Sequence, residues 1–383
     1  MSPVTLDRVP RIIQGAGALQ TLGTVVSGLE QAAGVLLVAD PGLRATGMID
    51  TAAAALRAAG ARTTVFDDVK SDPTMAQADF TAELARREQI AVVVGLGGGS
   101  AMDLGKTVAA IAAGRASSRH YGLCANPFPA GRLLSICVPT TSGTGSESTR
   151  TAVLSDPDGA KVWLWGDELK ADVILLDPTL TTGLPAHLTA ATGIDALVHA
   201  IEASTNRNAH PANNLYCHEA IRLVVRHLER AVSAPGDLSA RAGLQWAATF
   251  AGIGIDNCGT AIAHNIGHAL ASLRPVHHGR AVGLALRATL AWSVQGDDGP
   301  FATAAAAMGE AADARRLPAA FDRLLRSVGV KIALSGEGYD HITPAQLAQQ
   351  MAQPENEPMR RSNRRAVDDA DLLTFTTAVL TEH

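Results

Sequence analysis

From about residue 34 to residue 180, short β-branched runs alternate with Ala-rich stretches of helical spacing, and beyond about residue 185 the β-type runs nearly vanish. GVLLVAD (34–40), TTVFDD (63–68), IAVVVGLGGG (90–99) and LLSICVPTT (133–141) have the length and branching of buried strands. AAAALRAAGA (52–61) and FTAELARRE (80–88) lie between them with helical periodicity. Strands that lack polar alternation and are separated by helices call for a parallel sheet covered on both faces, so residues 1–184 are expected to form an α/β domain. From LPAHLTAATGIDALVHAIEAS (184–204) onward the period is that of helices, as in AIRLVVRHLERAV (220–232), and residues 185–383 are expected to form an all-α domain.

A chain of 383 residues carries enough apolar material for both domains. Only 18% of it is charged and the net charge is −5, so no basic field favours nucleic acid or an anionic membrane surface. A small-molecule partner is the better expectation. Four widely spaced cysteines form no CxxC pair, which suits a reducing cytoplasm. No basic start precedes an apolar run, and no apolar stretch reaches the roughly 18 residues of a membrane span, so a soluble cytoplasmic protein is expected.

GLGGGSAMDLGKTVA (95–109) leaves an apolar strand and opens a helix, presenting unhindered backbone N–H groups where a phosphate would be attracted. Gly95, Gly97 and Ser100 fit the dinucleotide GxGxxG pattern only with Ser in the last place, so the loop alone is a weak signal. Asp40 ends an early strand, where a carboxylate accepts from a ribose diol and repels a 2′-phosphate, favouring NAD over NADP. Otherwise it is a cap in the turn ADPGL. PTTSGTGSEST (139–149) follows another apolar strand and adds hydroxyls at the same end of the sheet.

Asp195 and His199 stand one helical turn apart among Ile194, Ala196, Leu197, Val198 and Ala200, so their shared face is enclosed or lines a cleft. An unpaired charge there would be costly. His264 and His268 repeat the spacing in a second apolar helix, and His277 and His278 follow Pro275. One Asp with three His suffices for a borderline divalent cation such as Fe²⁺ or Zn²⁺, while HxxxH without an adjacent Glu is not the metalloprotease signature. Periodicity does not rank His268 against His277 as the surplus histidine.

GGGSAMDLGK (97–106), PTTSGTGSE (139–147), LDPTLTTGLP (176–185), ATGIDALVHAIEA (191–203) and AHNIGHAL with HHG (263–279) resemble, in order and spacing, the iron-containing alcohol dehydrogenases. The likeness runs from residue 11 to residue 373. It implies the dehydroquinate synthase-like fold of that family, an N-terminal nucleotide-binding α/β domain followed by an all-α C-terminal domain. It also implies an NAD(P)-linked, metal-dependent alcohol dehydrogenase or carbonyl reductase, acting as a homodimer or larger homo-oligomer. The implied metal ligands are Asp195, His199, His264 and His278, with Fe²⁺ preferred to Zn²⁺. The implied proton-transfer or nicotinamide-side histidine is His268. The implied NAD site is Asp40, Gly98, Gly99, Ser100, Asp103, Thr140, Thr141, Thr149 and Lys161, of which Lys161 rests on the resemblance alone.

Alcohol-selective relatives surround the metal with apolar or aromatic residues, whereas AGIGIDNCGTAIAH (251–264) carries Asp256, Asn257 and Thr260 and no aromatic. A polar or anionic alcohol or carbonyl substrate is therefore expected, with Arg150 and Arg274 as candidate guanidinium contacts and Thr151, Ile255 and Thr260 as candidate neighbours. Two other readings compete. A dehydroquinate synthase-like lyase would be expected to use Glu/His/His ligands and more lysines. A maleylacetate-type reductase would depart at the metal ligands, all four of which are present here.

Overall fold

The computed structural model describes residues 3–29, 34–156, 159–295 and 298–381. The chain divides into two compact units, one spanning Arg8–Thr141 and Gly145–Gly183, the other comprising the N-terminal stretch to Asp7, Ser142–Thr144 and the chain from Leu184 onward.

The first unit holds β1 (Arg11–Gln14), α1 (Leu22–Ser27), β2 (Gly34–Ala39), α2 (Met48–Ala58), β3 (Arg62–Phe66), α3 (Met75–Arg87), β4 (Val92–Gly97), α4 (Gly99–Ile111), β5 (Leu134–Pro139), β6 (Thr151–Ser155), β7 (Lys161–Trp165) and β8 (Val173–Leu176). Six strands form a sheet in the order β1-β8-β5-β4-β2-β3, every pairing parallel. Every residue of β2 and of β4 is buried, as expected of strands with helices on both faces. Leu36, Val38 and Val93 pack toward α3 and α4 on one side, while Val35, Leu37, Val92 and Val94 pack toward α1 and α2 on the other.

The expected strands at 34–40, 63–68, 90–99 and 133–141 correspond to β2 to β5. β1, β8 and the antiparallel hairpin β6–β7 were not expected, because four or five residues are too few to display a period. Both expected helices begin earlier than their apolar cores suggest. Thr74 starts α3 by accepting the Gln77 amide on its hydroxyl, and Gly47, at φ 72°, turns the chain into α2. Gly97 lies at φ 151°, where a Cβ would stand 2.8 Å from that of Ala101 and 3.1 Å from that of Asp40, so only glycine lets the end of β4 meet both.

In the second unit α5 (Ala186–Thr205), α6 (Pro211–Ser233), α7 (Leu238–Cys258), α8 (Ile262–Leu273) and α9 (His278–Ser293) are followed by α10 (Gly299–Ala307), α11 (Leu317–Ser327), α12 (Pro344–Met351), α13 (Glu357–Ser362) and α14 (Asp369–Thr381). α5, α6 and α7 pack on one another, and α9 packs on both α5 and α8. Their core is built from small and aliphatic side chains such as Ala190, Ile194, Leu197, Ile221, Ala247 and Ile266, which lets the helices approach closely. Among the described residues no helix is long and apolar enough to cross a membrane.

Candidate active site

Every residue of α5 from Thr189 to Thr205 is buried, so a polar side chain there must find its partners inside the protein. Asp195, His199 and Glu202 follow one another at i, i+4 and i+7 and share one face. His264 arrives from the first turn of α8, and His278 is the first residue of α9. Gly279 permits this meeting. A Cβ there would lie 2.1 Å from the Ala191 carbonyl oxygen and 2.9 Å from the Asp195 Cβ, so any side chain would push the start of α9 off α5.

Asp195 Oδ1 is the centre of the group. It stands 3.5 Å from His278 Nε2, 3.9 Å from His199 Nε2 and 4.0 Å from His264 Nε2. One ligand atom from each of the four residues lies within 4.8 Å of the others. Donors about 2.0–2.2 Å from one cation stand roughly 3.4 Å apart in a tetrahedron, which this group approaches. The chemistry of the set fits as well. Asp195 Oδ1 and His264 Nε2 are buried and have no hydrogen-bond partner among the described residues. Buried polar atoms are almost always paired, and two facing orphans among nitrogen and oxygen donors are what a divalent cation would satisfy.

The electrostatics agree. Burial pushes the Asp195 carboxyl up to about 7, partly opposed by His264. His199 is held well below the ordinary imidazole range, first by burial and then by His264 and His268, with the Gly143 carbonyl pulling the other way. His278 is lowered by burial and by the imidazoles of His268, His264, His199 and His277, although 38% of its side-chain surface remains exposed. Neutral imidazoles around a carboxylate that resists ionisation leave lone pairs available for a metal.

The other two histidines differ in position. The His268 ring is half-buried, its centroid 5.4 Å from that of His278 and 6.2 Å from that of His264. His277 is exposed at the N-terminus of α9, next to the cluster in sequence but outside it in space.

In the α/β unit the loops are held from beneath. Lys106, wholly buried in α4, donates to the carbonyls of Ser146, Thr149 and Thr151 and to Thr149 Oγ1, and lies 3.4 Å from Asp103 Oδ1. Asp103 in turn accepts from Ser146 Oγ and from the Val153 amide. Thr149 and Asp103 are thus committed to the loop's own framework. Gly98 precedes α4 as its N-cap and Gly99 and Ser100 open the helix, with the Ser100 hydroxyl donating to the Ser71 carbonyl. Thr141 faces Gly98, and the Thr140 amide donates to the Gly97 carbonyl. Asp40 accepts from the Gly42 amide at 2.8 Å. Lys161 reaches Asp72 and Ser155.

Of the candidate substrate contacts, Arg150 is engaged, bonded to Asp167 at 3.1 Å with its guanidinium 4.6 Å over the Trp165 ring. The Thr151 carbonyl serves Lys106. Ile255 is half-buried against the helical core, and the Thr260 carbonyl accepts from Ser362 Oγ. Arg274 is exposed, and the Tyr339 hydroxyl donates to its carbonyl at 2.9 Å.

Glu202 and Lys106 were absent from the expected site. Glu202 had a sequence signal, the third place on the Asp195/His199 face, and Lys106 had one in standing a turn beyond Asp103 in an otherwise apolar helix.

Residues 10–178 match the family Iron-containing alcohol dehydrogenase, and residues 189–378 match the Fe-containing alcohol dehydrogenase family, C-terminal. The chain is similar to a choline dehydrogenase of Bacillus subtilis, with 32% identity over 305 residues covering 79% of this chain and 76% of the relative. It is also 32% identical to a sulfoacetaldehyde reductase of Bilophila wadsworthia, over 72% of this chain and 70% of the relative. The solved structure of the sulfoacetaldehyde reductase from Bifidobacterium kashiwanohense in complex with NAD+ superposes with a TM-score of 0.91 at 26% identity, covering 100% of both chains.

Proposed function

This chain belongs to the iron-containing alcohol dehydrogenase family and is a metal- and NAD(P)-dependent alcohol/aldehyde oxidoreductase, and on that premise we propose that Asp195, His199, His264 and His278 ligate its cation. Fe²⁺ is the resident metal in this reading and Zn²⁺ its substitute. The observation that carries it is the convergence of three imidazole nitrogens on a buried Asp195 oxygen that lacks a hydrogen-bond partner among the described residues.

When bound, the cation polarises the carbinol or carbonyl oxygen and the nicotinamide takes or returns hydride. The chain's residues do the rest. The enclosed face of α5 keeps water from the ligands. His268, half-exposed beside His278, holds or releases the substrate proton on an imidazole nitrogen. NAD is favoured over NADP because Asp40, directly after β2, places a carboxylate there that accepts from a ribose diol and repels a 2′-phosphate. Gly98, Gly99, Ser100, Thr140 and Thr141 supply the small side chains and amides of the phosphate loop, with Asp103 and Thr149 shaping it from below and Lys161 beside it.

The substrate in this reading is small and polar or anionic. Asp256, Asn257 and Thr260 make the end of α7 and the turn after it polar, and Arg274 is the exposed guanidinium of the helical unit's HxxxH segment. Relatives of equal identity bear the names of a cationic and an anionic substrate, so charge on the substrate is compatible with this scaffold. Arg150, already bonded to Asp167, is the weaker contact.

The test is metal content together with alcohol-dependent NADH formation, for the parent and for Asp195→Ala and His264→Ala. Full turnover in metal-free parent protein would refute the assignment. A substrate panel in which hydroxy acids do no better than neutral alcohols, with Arg274→Ala leaving that order unchanged, would refute the anionic preference.

A further inference from the structure

Glu202 lies outside the four-residue ligand group, yet it is as buried as Asp195, His199 and His264, with 3% of its surface exposed. Two backbone amides and an imidazole nitrogen converge on it. Its Oε2 lies 2.6 Å from His264 Nδ1 and accepts from the Ala261 amide at 2.9 Å, and its Oε1 accepts from the Ala263 amide at 2.7 Å. Resting on the metal-site reading above, we infer that Glu202 is a positioning residue that fixes the tautomer and the ring plane of His264.

The reasoning is one of donors and acceptors. A neutral imidazole has one N–H and one lone pair, and whichever nitrogen carries the proton is set by the bond the other partner demands. A carboxylate only accepts, so the proton goes to Nδ1 and the lone pair to Nε2, the buried atom that lacks a partner and stands 4.0 Å from Asp195 Oδ1. The two backbone amides, at the start of α8, hold the carboxylate itself in place. Asp195, His199 and Glu202 lie on one face of α5, so that single helix supplies two ligands directly and orients a third across the α8 interface. A glutamine could not do the same. Whichever way its amide turned, its NH₂ would oppose either the Ala263 amide or the pair formed by Ala261 and His264. Glu202 also borders a small cavity shared with Thr205, Asn206, Ser293 and Asn363, which Glu202→Ala would enlarge. The glutamine is therefore the cleaner probe.

The experiment measures cobalt affinity by chelator competition for the parent, Glu202→Gln, His264→Ala and the double variant, with circular dichroism to confirm folding. Glu202→Gln is expected to weaken cobalt binding about 10- to 100-fold, and to add nothing once His264 is gone. Affinity within threefold of the parent, or an undiminished further loss in the His264→Ala background, would overturn the inference while leaving the metal site standing. A parent that takes up no cobalt would overturn both. Should Glu202→Gln fail to fold, ¹⁵N-histidine spectra of the metal-free parent decide instead. They should show His264 protonated at Nδ1, and protonation at Nε2 would overturn the inference.

Discussion

Each unit buries a constellation of charged and polar side chains, and the two are finished differently. In the α/β unit Lys106 spends its ammonium on three carbonyls and a hydroxyl, with Asp103 bound to a hydroxyl and an amide of the same loop. In the helical unit Asp195 Oδ1 and His264 Nε2 face each other with no hydrogen between them. The first arrangement is closed and defines a loop's shape. The second leaves two facing atoms without a partner, as a cation site would. Burial and charge do not separate them; the count of satisfied lone pairs does.

Asp195→Asn should therefore break function and not fold. Metal uptake should be lost and alcohol-dependent turnover should fall by at least about 1,000-fold, of the order of 4 kcal/mol of transition-state stabilisation. In metal-free protein the same change should stabilise. With its carboxyl raised to about 7 from an ordinary value of 3.8, the cost of ionising Asp195 inside the fold grows as pH rises between those values and is constant above. At pH 8 metal-free Asp195→Asn should exceed the parent by about 4 kcal/mol in denaturant melts. A less stable variant would mean that Asp195 is a structural partner, like Asp103.

Lys106→Met is the converse. It strands three carbonyls and the Asp103 carboxylate in a dry interior, and should cost about 3 kcal/mol of stability. Cobalt affinity of the folded protein should be unchanged, while the dissociation constant for NADH, read by fluorescence, should rise. Coupled loss of metal and stability would erase the distinction between the two constellations.

β2 and β4 were legible because six consecutive apolar or glycine residues leave no other reading, and β3 and β5 by their β-branched and aliphatic residues, whereas β1, β8 and the hairpin were too short to show one. Asp195 and His199 were legible because polar groups one turn apart in an apolar helix violate an expectation. Glu202 and Lys106 violate it equally, but the sequence does not contain the partner of a buried charge. His264 Nδ1 and the loop carbonyls come from 62 and from 40 or more residues away. For the same reason spacing was silent on His268 against His277 as the surplus histidine: the first stands beside the cluster, its ring centroid 5.4 Å from that of His278, while the second is exposed at the start of α9.

Smaller in scale is the pH dependence of the open constellation. His199 and His278 are held well below 6.5, so through neutral pH they are already neutral and release no proton when a metal binds. Asp195 is protonated below about 7, and its proton must leave. Cobalt affinity should thus rise about tenfold per unit from pH 5.5 to pH 7 and flatten above it. A steeper slope would mean that an imidazole also titrates, and a flat line would remove Asp195 from the ligand set.

The smallest effect belongs to Lys161, a proposed nucleotide contact whose partner is at the surface. Its ammonium pairs with Asp72, whose side chain is 71% exposed, so solvent screens the pair and Lys161→Ala should change stability by less than about 1 kcal/mol. If Lys161 meets the nucleotide, it does so by leaving Asp72, and Asp72→Asn should tighten NADH binding a few-fold as Lys161→Ala weakens it. Opposite signs at the two positions would separate a cofactor contact from a surface pair, since breaking a merely structural bridge from either side shifts NADH affinity in the same direction or in neither.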